Sequence, residues 1–155
     1  MGNLIWHQYS RFVSITASVY AVWASFYAFF YRKFFWDFVG GTLRDPGGLQ
    51  PAKSAAVFIT LIVKAPIIPI FAMILAMVIL CIEMPLPILK QYSLYRSLVV
   101  RVVLLLFQVF LTILFYQGTN AAIWSLIAAI CYGRAIQLGE TMQEAKQNRG
   151  RGGQA

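Results

Sequence analysis

Charge-free apolar runs and the polar breaks between them divide the chain into four predicted membrane-crossing helices. The first run, Phe12 to Tyr31, carries no charge between Arg11 and Arg32, and about 20 helical residues suffice to cross about 30 Å of hydrocarbon. A cleaved signal peptide would have a shorter apolar core and a small-residue exit. Here the run ends in Phe29-Phe30-Tyr31-Arg32-Lys33, so an uncleaved helix is expected. The second run, Ser54 to Ile82, is interrupted by Lys64, Pro66 and Pro69. Proline removes a backbone donor and clashes with the preceding turn. Either one long helix kinks there, or a short amphipathic or re-entrant piece over Ser54–Val63 leads into a straight span at Ala65–Ile82. The kinked helix, with Lys64 near the interface, is the favoured reading, and Glu83, Pro85 and Pro87 end it. No charge then appears from Val102 to Gly133, too long a stretch for one untilted span. Its turn chemistry lies at Tyr116-Gln117-Gly118-Thr119-Asn120. The expectation is an all-α, four-transmembrane-helix bundle with spans near residues 12–31, 56–82, 97–116 and 119–138. Residues 1–140 form a single integral membrane domain and 141–155 a flexible cytosolic tail.

The helix faces refine this layout. Ser14, Ser18, Ala21, Ser25 and Ala28 recur every three or four residues along the first span, one narrow stripe of small side chains. Small residues let backbones approach closely where lipid offers no hydrophobic drive, which makes the stripe a packing face. Tyr20, Trp23, Tyr27, Tyr31 and Phe34 fall on roughly the opposite face and are expected to meet lipid or a partner. On the fourth span Ala121, Ser125, Ala129 and Gly133 form a second small-residue ladder at intervals of four. The third span carries Arg101, Gln108, Thr112 and Tyr116 on one face of a Leu, Val and Phe surface. Together with Lys64 these residues are a candidate polar stripe inside the membrane. The stripe is read either as interhelical glue, with Arg101 and Lys64 snorkelling to an interface, or as a polar path.

The first loop interleaves aromatic and basic residues, with Arg32, Lys33, Trp36 and Asp37 followed by Arg44 and Asp45. Such a composition suits the headgroup region, so the loop is a candidate partner-docking or headgroup-binding surface. Pro46-Gly47 fits the central positions of a type II turn. Beyond Arg134 the fourth helix is expected to continue as a solvated extension bearing Glu140 and Glu144, then to dissolve into Arg149-Gly150-Arg151-Gly152-Gly153.

Composition agrees with a bilayer address. Of 155 residues 60% are hydrophobic and 12% charged, against about a quarter charged in soluble domains. Thirteen Lys and Arg against five Asp and Glu leave +8, a charge suited to topology signals and anionic headgroups rather than nucleic acid. Most of these cations fall on the side of the termini and second loop (Arg11, Lys90, Arg96, Arg101, Arg134, Lys146, Arg149, Arg151), which places both termini in the cytosol. Chemistry is sparse. His7 is the lone histidine, and HExxH, CxxC, GxSxG and P-loop motifs are missing. Neither an enzyme nor a cofactor or metal site is expected.

The segments YSR (9–11), FYRKFFWDFVGG (30–41), RDPGGLQP (44–51), YQGTN (116–120) and EAKQNRGRGG (144–153) make the chain resemble an uncharacterised family of small fungal integral membrane proteins. The resemblance covers nearly the whole chain and implies a fungal origin and the span pattern, but carries no functional residue. The expected function is an interaction, assembly or membrane-organising subunit, acting on a membrane-protein partner or as a homo-oligomer. The alternative is a small-molecule, ion or lipid carrier or channel along the polar stripe.

Overall fold

Four long helices, one of them entered through a sharp elbow, make up most of a computed structural model that describes residues 4–32, 53–84 and 93–141. Helix α1 runs over Trp6–Phe30. After the first loop, a 3-10 turn (Lys53–Ala55), the single-turn helix α2 (Ala56–Ile59) and a π turn (Thr60–Lys64) form one short piece. Helix α3 occupies Ile67–Glu83. The four-residue α4 (Ser93–Arg96) precedes α5 (Leu98–Ile113), and a 3-10 turn at Tyr116–Gly118 leads into α6 (Thr119–Gln137). Among the described residues the fold is all-helical.

The second apolar run is not the kinked continuous helix expected for 56–82. Lys53–Lys64 meets Ile67–Glu83 at 70°. The residue before a proline is pushed out of the helical region, and Ala65 is accordingly extended, at φ −128° and ψ 128°. Pro69 lies in the first turn of α3, where a missing N–H costs no internal bond. The run is thus a short piece followed by a straight helix, a geometry that fits a broken span as well as a re-entrant segment.

The other helix ends follow local chemistry. The Ser97 hydroxyl caps α5 by accepting from the Val100 N–H at 3.3 Å. Helix α6 stops at Gln137 rather than continuing into the tail. Gly139 adopts φ +69°, the Gly139 N–H donates to Ile136 O and the Glu140 N–H to Ala135 O, both at 3.0 Å. These are the paired bonds of a Schellman motif, which turns the chain away. The tail from residue 142 lies outside the described residues.

The helices pack as a ring: α1 touches α3 and α6, and α5 touches α6 and α3. Because α1 has two neighbours, its buried surface is broader than one stripe. Ser14, Ser18, Ala21, Ser25 and Ala28 are buried, and so are Ala17 and Ala24. Ala24 and Ala28 pack with Ile68 and Ala72 of α3, while Ala21, Ala76 and Ala121 meet where α1, α3 and α6 converge. On α6, Ala121, Ser125 and Ala129 are buried. Gly133 does not extend that ladder, since a Cβ built there would meet nothing within 4 Å. The neighbouring Tyr132, 1% exposed, fills the interior at this level instead. Gly118 is the position where a glycine is indispensable. An added Cβ would lie 2.1 Å from the backbone oxygen of Thr112, so the turn between α5 and α6 closes only without a side chain.

The partition of residues is inverted relative to a water-facing protein. Ser10, Ser14, Ser18, Ser25, Glu83, Arg101, Gln108, Thr112 and Ser125 are buried, while Trp23, Phe26, Phe71, Phe107, Phe110 and Ile130 are exposed. One helix, α1, is long and apolar enough to cross a membrane, and the bent pair Lys53–Lys64 with Ile67–Glu83 qualifies if taken as a single span.

Candidate functional site

The strongest chemistry among the described residues lies at the end of the ring that holds both ends of the described chain. Glu83 closes α3, and Arg101 sits one turn into α5. The two form an ion pair at 1% and 2% exposure. One Glu83 oxygen takes the Arg101 guanidinium and the other accepts from the Tyr132 hydroxyl of α6 at 2.8 Å. Arg101 Nη2 donates to Ile82 O at 3.2 Å and to Tyr95 O at 2.9 Å. The guanidinium also lies 5.5 Å from the Tyr95 ring centre and 5.8 Å from that of Tyr132, within the range of cation–π attraction. Arg11 of α1 adds a fifth element by donating from Nε to Glu83 O at 2.8 Å. A buried ion pair recovers its desolvation cost only when its remaining hydrogen-bonding capacity is met. Here both carboxylate oxygens and both Arg101 terminal nitrogens are engaged, while Arg101 Nε lies buried without a partner.

This arrangement corrects two expectations. Arg101 does not snorkel out of the ring. Glu83 is not merely a stop signal at the end of the second run, because its carboxylate is the hub that joins α3, α5 and α6. Tyr132 and Glu83 were not singled out as site residues from the sequence. The available signal was the balance of charge: an arginine one turn into one apolar helix and a lone glutamate at the end of another invite pairing.

A second clasp closes the same end. Glu140 accepts from the Trp6 and His7 backbone N–H groups at 3.0 and 2.8 Å and from or with His7 Nδ1 at 2.8 Å. It thereby caps the free donors of the first turn of α1, where a carboxylate also complements the helix dipole. Partial burial alone would raise the Glu140 carboxyl. The backbone bonds from His7 and Trp6, then the His7 ring, outweigh it and hold the group below its ordinary value. Glu140 is therefore a tertiary cap, not part of a solvated helical extension. The clasp and the Arg11–Glu83 bond place the two ends of the described chain on one side.

In the middle of the ring, Gln108 Nε2 donates to the Ser125 hydroxyl at 2.8 Å, joining α5 to α6. Thr112 Oγ1 and Ser125 Oγ return their protons to Gln108 O and Ala121 O, both at 2.6 Å. Arg101, Gln108 and Thr112 thus share the buried face of α5 with Leu98 and Leu105. Tyr116 falls outside that helix, in the 3-10 turn, and is 40% exposed. Lys64 does not join the stripe either. It is exposed at the elbow, on a different element. The five candidate stripe residues therefore divide into three buried ones and two at the far end.

At that far end Arg32 donates from Nε to Phe29 O at 3.2 Å and from Nη1 to Lys64 O at 3.1 Å, tying the end of α1 to the elbow. Of the candidate loop residues, Lys33, Trp36, Asp37, Arg44 and Asp45 lie outside the described residues. On the outer surface an apolar groove of about 470 Å³ runs between α1 and α3, lined by residues including Ile15, Val19, Trp23 and Met77. Among the described residues no group of three or more His, Cys, Asp or Glu side chains could hold a metal ion.

Comparison with known proteins gives a family without an activity. The family model described as a domain of unknown function, DUF7727, matches residues 1–140, and the chain belongs to this family. No curated protein and no solved structure matches the chain.

Proposed function

We propose that this DUF7727 member is a multi-pass integral membrane protein whose four helices span the bilayer with both termini in the cytosol, and that it serves as an interaction or assembly subunit. The observation that carries the reading is the inverted partition: serines, a glutamine and an ion pair inside, with Trp, Phe and Ile side chains outside. In water, exposed apolar surface of this kind would drive association. In lipid, large apolar side chains outside and small or hydrogen-bonding residues between helices are the stable arrangement. The four spans and the fungal source implied by the resemblance belong to the same reading. Helix α5, with 16 residues, has a helical length of about 24 Å, close to but below the roughly 30 Å of a bilayer core.

The subunit reading is favoured over a carrier because the charged and amide side chains inside the ring bond across helices, even though the Ser14, Ser18 and Ser25 hydroxyls lie buried without a partner. Gln108 bonds Ser125, Arg101 bonds Glu83, and Lys64 stands away from both. What the molecule offers outward is surface, above all the aromatic ridge of Trp23, Phe26, Tyr27, Phe30 and Tyr31 on α1, whose rings stack on or abut one another.

Two experiments test the reading. A glycosylation acceptor inserted near Gly47 acquires a glycan, and one at the C-terminus does not; the reverse pattern inverts the topology. Proximity labelling from the C-terminal tail in the native membrane recovers one enriched membrane complex, whereas a diffuse set with no enriched partner removes the subunit role.

A further inference from the structure

We propose that the elbow is a seat for the phosphate of an anionic phospholipid headgroup, held by Arg32 and Lys64; the inference rests on the membrane reading above. The Arg32 guanidinium donates to the Lys64 backbone carbonyl at 3.1 Å, which sets two basic residues 32 apart in the chain beside each other at the elbow. Both are exposed, and among the described residues the Lys64 ammonium has no hydrogen-bond or ion-pair partner. The acidic groups among the described residues, Glu83 and Glu140, are at the opposite end of the ring and already engaged. Two like charges held on one surface repel, and an anion shared between them relieves that repulsion.

The surroundings say which anion. The elbow piece lies at 70° to α3 and exposes Val57 and Phe58, while Phe30 and Tyr31 are exposed at the adjoining end of α1. A short helix that crosses its spanning neighbour steeply, with apolar side chains and cations both on its surface, has the properties of a segment at the boundary of acyl chains and headgroups. Free phosphate would have no use for the apolar part, whereas a phospholipid satisfies both. Arg32 Nε and one Nη1 hydrogen are taken up by carbonyls, so Arg32 Nη2, the second Nη1 hydrogen and Lys64 Nζ are the donors left to a phosphate oxygen.

The test uses the full chain in mild detergent, supplied with phosphatidylcholine alone or mixed with phosphatidylglycerol, with retained lipid read by native mass spectrometry. The wild type retains phosphatidylglycerol in preference to phosphatidylcholine. Lys64→Gln, which leaves the backbone carbonyl bonded by Arg32 in place, lowers that affinity about fivefold, the equivalent of about 1 kcal/mol per basic residue near the surface. Lys64→Arg restores it. Arg134→Gln, at the other end of the ring, leaves it unchanged. Unaltered retention in Lys64→Gln overturns the seat, as does an equal loss in Arg134→Gln, which would report net charge alone. Inorganic phosphate displacing the lipid at equal concentration overturns the lipid assignment. Release of the protein from membranes by alkaline carbonate would sink the membrane reading itself. A carbonate-resistant chain whose Lys64→Gln variant binds normally loses only the seat.

Discussion

The two ends of the ring handle charge in opposite ways. At the end holding both ends of the described chain, Glu83 and Arg101 turn inward and bond each other and Tyr132 across three helices, and Glu140 caps α1. At the elbow end, Arg32 and Lys64 are exposed, and the structure is closed by the break at Ala65–Pro66, the tight turn at Gly118 and side-chain bonds to backbone carbonyls from Arg32 and Gln117. The difference teaches where cohesion comes from in a chain this apolar. Side-chain bonds between buried groups hold one end, and the other combines the exposed Arg32 tie to the elbow with a turn that needs close approach of backbones.

Removing one partner from the buried pair should expose that contrast most strongly. Arg101→Met leaves Glu83 buried without a counter-charge, and the expected loss is about 3–5 kcal/mol, measured as unfolding in mixed micelles of rising SDS content. Adding Glu83→Gln should recover much of it, because the uncompensated charge is then gone. A single-variant loss below about 1 kcal/mol would mean that the pair is solvated rather than buried.

The elbow end is tested by glycine. Gly118→Ala places a methyl against the Thr112 carbonyl and should cost about 1–3 kcal/mol, the range for forcing volume into a packed site. Gly133→Ala adds a methyl where nothing lies within 4 Å and should be neutral or stabilising by up to about 1 kcal/mol, the helix propensity difference. Equal effects at the two glycines would erase the distinction between a close-approach turn and an open helix face.

Glu140 gives the smallest loss. Glu140→Ala should cost about 1 kcal/mol, as for other helix N-caps, and fray α1 near His7 as seen by faster amide exchange. The sign of the pH dependence follows from the lowered carboxyl. The folded group binds its proton less readily than the unfolded one, so its contribution is complete above the ordinary carboxylate value of about 4 and fades as pH falls through the lower folded value. An acid limb unchanged by Glu140→Ala would remove the clasp from the stability of this end.

Much of the candidate site was legible as residue types and little of it as partners. Arg101, Gln108 and Thr112 share a face because positions three and four apart on a helix must, and the small residues of α1 are legible for the same reason. Glu83 reads locally as a helix end and Glu140 as one more surface acid, since nothing nearby in sequence announces a partner 18 residues away for the first or more than 130 away for the second. Gly133 shows the converse failure. Its spacing continues the ladder of α6, but spacing cannot tell where the neighbouring helix has diverged.

Local physics carried by the sequence determined the helical class, the apolar runs, the turn between α5 and α6 and the interruption at Pro66, because periodicity, proline and glycine act within a few residues. Tertiary structure alone decided that Glu83 is a hub, that Glu140 is a cap, that Lys64 stands apart from the α5 stripe and meets Arg32, and that α1 needs two buried faces. Each of those outcomes depends on which helices become neighbours, and a side chain's role in an apolar interior is set by the partner that satisfies it.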